Sequence, residues 1–296
     1  MSFSGIYAAV PTPFSDDEKV AFDKLEKNLE YWNSQPLTGL LVLGTVGEAF
    51  YSTREERKEV WKFCESRLHN ANKQLIAGTG AQSTSDTIDY LHLAQDSGAD
   101  AAIILTPSFF RPSQEALIKH YRDIADASSI PVMLYNFPGV TGVDLTSDTI
   151  IKLADHPRII GIKESSANLS KFASVKAACP DFLYFTGIAS TLLSFLCLGG
   201  AGTFAALSSI AAKPLYAIQK AYEANQLDKA RKIQLSLAAM SETIELQYGI
   251  PGLKFAMDYM GLYGGTPRRP LQPLCEQGKG EISALLEKFK QSIANM

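Results

Sequence analysis

Lys163 is the residue whose type and position most directly suggest chemistry. It ends an apolar run that begins at Arg158. Such a run predicts a strand buried on both faces, as in parallel sheets. Burial disfavours the ammonium form of a lysine and leaves a free amine that can attack a carbonyl carbon. The alternative is an exposed lysine just past the strand end that forms an ion pair with Glu164. The first interpretation makes Lys163 a nucleophile, whereas the second gives it a structural role.

Eight short apolar runs recur along the chain and are usually followed by helix-like segments, at residues 6–10, 40–43, 74–77, 101–105, 131–134, 159–162, 183–185 and 203–206. This alternation predicts a (β/α)₈ barrel of the TIM type. An open doubly wound sheet is the alternative, because periodicity alone does not show closure. After the eighth run the strands cease. The chain is therefore divided into a barrel that holds the active site, residues 1–225, and a C-terminal helical domain, residues 226–296.

Several helix ends are marked by local signals. Thr53 and Glu56 have the spacing of a capping box, and Ser83 is a second start signal. Gly98 is a plausible helix stop. In the C-terminal part, the glycine- and proline-containing stretch 249–252 predicts an interruption between helices.

In barrels of this type the active site lies at the carboxyl ends of the strands. Thr45 follows the second predicted strand, Tyr135 the fifth and Lys163 the sixth, so two hydroxyls and an amine are expected to converge. Thr45 lies in the glycine-flanked turn 44–47, whose N–H groups could receive a carboxylate. Taken singly, this turn could be a simple strand-to-helix connection and Tyr135 a packed aromatic. The combination favours chemistry on a carbonyl compound.

Composition and motifs exclude several other classes of function. The net charge of −3 over 296 residues gives no basis for expecting nucleic acid or an anionic membrane surface as a partner. The four cysteines and four histidines show no metal-ligand or disulfide spacing. No glycine-rich nucleotide fingerprint opens a helix after a strand. We therefore expect no metal and no cofactor.

The chain also carries no sign of a targeting or membrane segment. Its first residues lack a basic region followed by a long apolar core, so no secretory signal is predicted. The uncharged stretch 182–212 is long enough for a membrane span, but four glycines interrupt it. A buried strand, a short helix and another buried strand explain this stretch better. A cytoplasmic, reducing location is the expectation.

Five motifs in the same order identify a family. The chain resembles the dihydrodipicolinate synthase/N-acetylneuraminate lyase family of class I, Schiff-base aldolases, over nearly its whole length. Its C-terminal segment is most similar to the branch of 4-hydroxy-2-oxoglutarate and 2-keto-3-deoxy sugar acid aldolases. The motifs are Pro11-Thr12-Pro13-Phe14, Gly44-Thr45-Val46-Gly47-Glu48, Tyr135-Asn136-x-Pro138, Gly161-Ile162-Lys163-Glu164-Ser165 and Gly199-Gly200-x-Gly202.

The resemblance implies catalytic roles for three residues. Lys163 corresponds to the lysine that forms the Schiff base, and Tyr135 to the tyrosine that shuttles protons. Thr45 corresponds to the hydroxyl that orients this tyrosine. The backbone amides of Thr45 and Val46 would hold the carboxylate of the keto acid.

Further positions are implied in substrate binding. Phe204 stands where the family makes a backbone contact to the keto acid, and Gly187 where its pocket continues. Val140 replaces the arginine with which dihydrodipicolinate synthases bind the carboxylate of aspartate semialdehyde. Phe109 replaces a tyrosine that many members donate from a neighbouring subunit. These two replacements favour an aldehyde partner that is smaller or less charged than aspartate semialdehyde.

The function implied is that of a lyase. It would cleave a 4-hydroxy-2-keto acid, of the 2-keto-3-deoxy sugar acid or 4-hydroxy-2-oxoglutarate type, to pyruvate or glyoxylate plus an aldehyde or keto acid. One alternative is a synthase that condenses pyruvate with an aldehyde, such as dihydrodipicolinate synthase. Another is a keto-acid-binding protein without turnover. The family also implies a homotetramer.

Overall fold

The computed structural model describes residues 3–294, with the side chains of residues 3–291. Within this range the eight predicted runs form eight parallel strands, and each predicted end lies within two residues of the observed one. The strands are β1 (Gly5–Ala9), β2 (Gly39–Val42), β3 (Gln74–Gly78), β4 (Ala101–Leu105), β5 (Val132–Asn136), β6 (Ile159–Glu164), β7 (Leu183–Thr186) and β8 (Gly202–Ala205).

The strands close into a barrel. Each strand pairs with the next, and β8 pairs with β1 through the register Gly5↔Gly202 to Ala8↔Ala205. The predicted (β/α)₈ barrel is confirmed, and the doubly wound alternative is wrong because an open sheet leaves two unpaired edges.

Helices cover the barrel and form the C-terminal part. They are α1 (Phe22–Ser34), α2 (Arg54–Asn70), α3 (Thr84–Asp96), α4 (Gln114–Asp126), α5 (Pro138–Thr141), α6 (Ser147–Ala154), α7 (Leu169–Ala178), α8 (Leu192–Cys197), α9 (Ser208–Glu223), α10 (Leu227–Met240), α11 (Gly249–Tyr259) and α12 (Glu276–Ala294). Short 3₁₀ turns span Ala49–Tyr51 and Ala189–Thr191, and a π-helix spans Ser241–Gln247.

The local helix signals act as predicted. The Thr53 hydroxyl accepts the Glu56 N–H at 3.2 Å, and the Glu56 carboxylate accepts the Thr53 N–H at 2.8 Å, which completes a capping box at the start of α2. Ser83 accepts the Asp86 N–H at 3.0 Å at the start of α3. Gly98, just beyond the end of α3, adopts a left-handed φ of 80°.

The stretch 249–252 does not interrupt the helices as predicted. The break lies one residue earlier, at Tyr248 between the π-helix and α11, and Gly249 takes a left-handed φ of 56°. Residues 249–252 form the first turn of α11. Pro251 is tolerated there because N–H groups in the first turn have no partner within the helix.

The stretch 182–212 folds as β7, α8, β8 and the start of α9, as predicted. Among the helices described, none is both long and apolar enough to cross a membrane. The division predicted at residues 225 and 226 falls in the turn between α9 and α10. The existence of two separate domains stays a prediction.

The barrel interior is a packed core below its mouth. Tyr7, Phe185 and Phe204 are completely buried there. The Phe204 ring stacks on Tyr7 with 4.4 Å between centroids, and packs edge-on against Phe185 at 4.8 Å. These aromatic side chains fill part of the barrel interior, which is a packed core and not a pore.

Candidate active site

Three side chains meet at the carboxyl ends of the strands. Lys163 is the register partner of Tyr135 across β5 and β6, and only 4% of its surface is exposed. Its Nζ lies 4.2 Å from the centroid of the Tyr135 ring. The Thr45 hydroxyl donates to the Tyr135 phenol oxygen over 3.4 Å. The structure therefore brings the three predicted catalytic residues into one group.

The next residue on each strand faces the opposite side. Asn136 and Glu164 are also register partners, and the Asn136 amide donates to both Glu164 carboxylate oxygens at 3.0 and 2.9 Å. Lys171 and Tyr184 extend this buried polar cluster, with Lys171 Nζ 3.6 Å from Glu164, and the exposed Asp144 accepts the Asn136 amide at its edge. Because successive strand residues alternate between faces, the ion pair suggested for an exposed Lys163 with Glu164 is not formed. That alternative is wrong.

The turn that carries Thr45 is anchored to the C-terminal part of the chain. Glu48 takes a left-handed φ of 56°, and its Oε1 lies 2.7 Å from Lys254 Nζ of α11. Its Oε2 accepts the Arg268 N–H at 2.7 Å. The Thr12 hydroxyl donates to the Gly47 carbonyl at 2.8 Å. Burial lowers the pKa of Lys254, and the Glu48 carboxylate acts in the opposite direction. The Thr45 turn thus rests on a buried ion pair.

The predicted binding positions lie at different depths. Val46 is half-buried beside Thr45 and packs against the barrel interior. The Phe204 side chain is fully buried in β8, in the same core cluster as Tyr135. Gly187 directly follows β7 and donates its N–H to the Glu164 carbonyl at 2.8 Å.

Gly187 is packed against the lysine. A Cβ built on it would lie 2.0 Å from Ser165 Oγ and 2.9 Å from Lys163 Cε. Sequence reasoning did not select Ser165 as a site residue. The available signal was its position two residues after Lys163, which returns it to the same side of an extended chain. A third hydroxyl thus lies beside the Lys163 side chain.

We expect Gly187→Ala to impair the site through this contact. The added methyl group must displace Ser165 or Lys163, so kcat/KM and the rate of borohydride trapping with pyruvate should fall roughly 10- to 100-fold. Overpacking should also lower the free energy of unfolding by about 1–3 kcal/mol. Gly280→Ala is the matched control, because a Cβ there meets nothing within 4 Å and neither glycine has a positive φ. Equal kinetics for both variants would contradict this packing argument.

Val140 and Phe109 lie outside the buried group. Val140 is 57% exposed and lines the mouth of the barrel. Phe109 is 78% exposed, and its ring packs edge-on against Phe110 at 4.9 Å. The Gln82 carboxamide oxygen accepts the Ser108 and Phe109 N–H groups at 3.0 Å each and so holds this loop. Within one chain, Phe109 is not part of the group around Lys163.

A cavity of about 340 Å³ forms the mouth, and it reaches from Thr45 and Val140 to Ile250 and Leu271 of the C-terminal part. A wider depression of about 730 Å³ lies at the other end of the barrel, around Ile160. Thr45, which contacts Tyr135, lines the smaller cavity, so we assign the approach of the substrate to that cavity. Among residues 3–294, no group of three or more histidine, cysteine or acidic side chains is arranged to hold a metal ion.

The arrangement suits carbonyl chemistry. A buried primary amine can add to a carbonyl carbon and lose water to give an iminium. The adjacent phenol and hydroxyl can move a proton.

Comparisons with known proteins show similarity over nearly the whole chain. The dihydrodipicolinate synthetase family profile matches residues 2–289. A probable mitochondrial 4-hydroxy-2-oxoglutarate aldolase of Emericella nidulans is 36% identical, over 98% of this chain and 94% of that protein. A 4-hydroxy-tetrahydrodipicolinate synthase of Maridesulfovibrio salexigens is 32% identical, over 97% of this chain and 98% of that protein.

A solved structure has the same fold. It is a chloride-inhibited dihydrodipicolinate synthase from Acinetobacter baumannii complexed with pyruvate. The two structures agree with a TM-score of 0.93 at 32% identity, over 97% of this chain and 98% of that one.

Proposed function

Since the chain belongs to the dihydrodipicolinate synthetase family of Schiff-base, pyruvate-dependent lyases, we propose that it cleaves a 4-hydroxy-2-keto acid to pyruvate and an aldehyde or 2-oxo acid. For 4-hydroxy-2-oxoglutarate the second product is glyoxylate. The observation that carries the proposal is the contact of the buried Lys163 amine with Tyr135, which Thr45 in turn contacts. Two similarities support this substrate class. One relative is named as a probable 4-hydroxy-2-oxoglutarate aldolase. The C-terminal segment resembles the branch that includes the 2-keto-3-deoxy sugar acid aldolases.

The proposed reaction begins at Lys163. Its Nζ attacks the C2 carbonyl carbon of the keto acid, and loss of water gives an iminium. Loss of this water takes up the phenol proton of Tyr135, which solvent can also supply, and the resulting phenolate accepts the proton of the C4 hydroxyl. The C3–C4 bond breaks, its electrons pass into the iminium, and the aldehyde leaves. The resulting enamine is protonated at C3, and hydrolysis releases pyruvate and the free Lys163 amine.

Other residues would position the keto acid. The backbone amides of Thr45 and Val46 are proposed to receive its carboxylate, and the backbone of Phe204 to contact it. Gly187 leaves room for the Schiff-base carbon chain beside Lys163, because any side chain there would meet Lys163 Cε. The Thr45 hydroxyl is proposed to orient the Tyr135 phenol.

Val140 is the residue that favours cleavage over the competing synthase reaction in this proposal. Condensation of pyruvate with aspartate semialdehyde is the activity implied for a synthase, and the Maridesulfovibrio relative is named for it. An arginine that makes two parallel hydrogen bonds would be needed to bind the carboxylate of aspartate semialdehyde firmly. Val140 occupies that position at the mouth and cannot form such a pair. This difference favours the lyase.

The function is tested in two steps. Wild-type protein is first reduced with borohydride in the presence of pyruvate, and the adduct is located by peptide mass spectrometry. Cleavage of 4-hydroxy-2-oxoglutarate and of 2-keto-3-deoxy sugar acids is then compared with condensation of pyruvate and aspartate semialdehyde. A pyruvyl adduct on Lys163 with faster cleavage is the expected result. Faster condensation would assign the chain to the synthases, and an adduct without any turnover would leave only a binding protein.

A homotetramer is proposed as the working assembly. Phe109 and Phe110 are 78% and 87% exposed beside the mouth, and Leu235 is 67% exposed on α10. Exposed apolar side chains of this size are typical of contact surfaces. Neighbouring subunits would cover them. The mass in solution, measured by light scattering, tests the proposal.

A cytoplasmic location is also proposed. Cys64, Cys179, Cys197 and Cys275 are all free thiols, which suits a reducing compartment. The Emericella relative is named as mitochondrial, so cell fractionation has to compare the two compartments.

A further inference from the structure

An acidic side chain from the C-terminal part contacts the loops after β7 and β8. Glu245 lies in the π-helix Ser241–Gln247, a rare element that is frequent at functional sites. Its Oε1 accepts the Leu207 N–H at 2.8 Å, and its Oε2 accepts the Ala189 N–H at 3.0 Å. The Ser241 hydroxyl donates to Oε2 at 2.7 Å. One carboxylate therefore joins two separate loops of the barrel.

These two loops lie at the end of the barrel that holds Lys163. Ala189 lies two residues after Gly187, which packs against Lys163, and Leu207 follows β8, the strand of Phe204. The first loop is held a second time by Gln234 of α10, whose amide donates to the Ala189 carbonyl at 3.0 Å. The C-terminal part thus fixes the backbone that borders the lysine.

The Glu245 carboxyl is also affected by the charge of Lys163. Burial raises the pKa of the Glu245 carboxyl, while its hydrogen bonds and the charge of Lys163 act against this effect. Glu242, on the same π-helix, is exposed.

We propose that Glu245 is a positioning residue of this site: its carboxylate holds the loops after β7 and β8 in place and so fixes the backbone beside Lys163. The inference rests on the proposed Schiff-base function. It makes the helical part, which follows residue 225, a contributor to the active site. No contact with substrate is required of Glu245.

The test compares Glu245→Gln with Glu242→Gln. A carboxamide has nearly the same shape, but it has no charge and only one accepting oxygen, so one of the two loop N–H groups loses its partner. We expect pyruvate trapping by borohydride to slow roughly tenfold in Glu245→Gln, since a charge-assisted hydrogen bond is lost. Glu242→Gln should match the wild type.

The maximal rate separates positioning from a merely structural effect. Looser loops beside Lys163 should lower the rate of trapping at saturating pyruvate in Glu245→Gln, whereas a smaller folded fraction would lower only the amplitude of trapping. An unchanged rate with a lower amplitude would overturn the proposal, as would kinetics equal to those of the wild type.

Hydrogen exchange provides a readout that does not depend on activity. Peptides containing Ala189 and Leu207 should exchange faster in Glu245→Gln than in Glu242→Gln, and equal protection of both peptides would overturn the proposal. If wild-type protein forms no pyruvate adduct, the proposed function fails, but exchange still reports on the loops.

Should Glu245→Gln not fold, Ser241→Ala removes one donor and keeps the charge. It should slow trapping about two- to fivefold, and an unchanged rate would overturn the proposal.

Discussion

Replacement of Lys163 by methionine is expected to abolish catalysis. Without the amine no iminium can form, so kcat should fall by roughly 10³-fold or more and the borohydride adduct with pyruvate should disappear. The fold should persist, because the side chain is only 4% exposed and methionine fills a similar volume without a charge. Turnover, adduct mass and thermal unfolding of the variant are the measurements.

Lys213→Met serves as the control for this change. Lys213 is exposed on α9, outside the group formed with Tyr135 and Thr45. Its replacement should leave turnover and the adduct unaltered. A pyruvyl adduct that survives in Lys163→Met would place the reactive amine elsewhere and remove the basis of the mechanism.

Tyr135→Phe should separate Schiff-base formation from carbon–carbon cleavage. The variant keeps the ring, which packs against Phe137 at 6.0 Å and under Lys163 Nζ at 4.2 Å, but it lacks the phenol group. Loss of a general acid–base group should reduce kcat for cleavage by about 10²–10⁴-fold. Pyruvate trapping on Lys163 should fall much less, because the amine remains.

Tyr121→Phe is the matched control. Tyr121 is completely buried, and its hydroxyl donates to the Ile104 carbonyl at 3.1 Å on the outer side of the barrel. Its loss should lower the free energy of unfolding by about 1 kcal/mol without changing kcat. If Tyr135→Phe cleaved substrate as fast as Tyr121→Phe, the proton transfer would belong to another group, with the Thr45 and Ser165 hydroxyls as candidates.

The contacts of the C-terminal part also bear on how the molecule works. Lys254 holds the Thr45 turn through Glu48, and Glu245 holds the loops that border Lys163. If the proposed roles hold, a chain ending at residue 225 would retain the catalytic residues but lose the groups that place them. The predicted two-domain division would then describe the order of elements, not two independent functions.

The strand order and the catalytic candidates could be predicted from the sequence alone. Buried parallel strands leave continuous apolar runs, and the residues that follow each run must lie at one end of a barrel. Lys163, Tyr135 and Thr45 could be placed together on this basis. Capping signals at Thr53 and Ser83 also depend only on neighbouring residues, so they too could be read locally.

The contacts between distant segments are visible only in the tertiary structure. Ala189 and Glu245 are 56 residues apart, and neither carries a local pattern that points to the other. The packing of Gly187 on Lys163 and the orientation of Glu164 away from it depend on the register of β6 with its neighbours. Barrel closure and the docking of the helical part set these distances, because they bring together backbone and side chains whose spacing along the chain is not periodic.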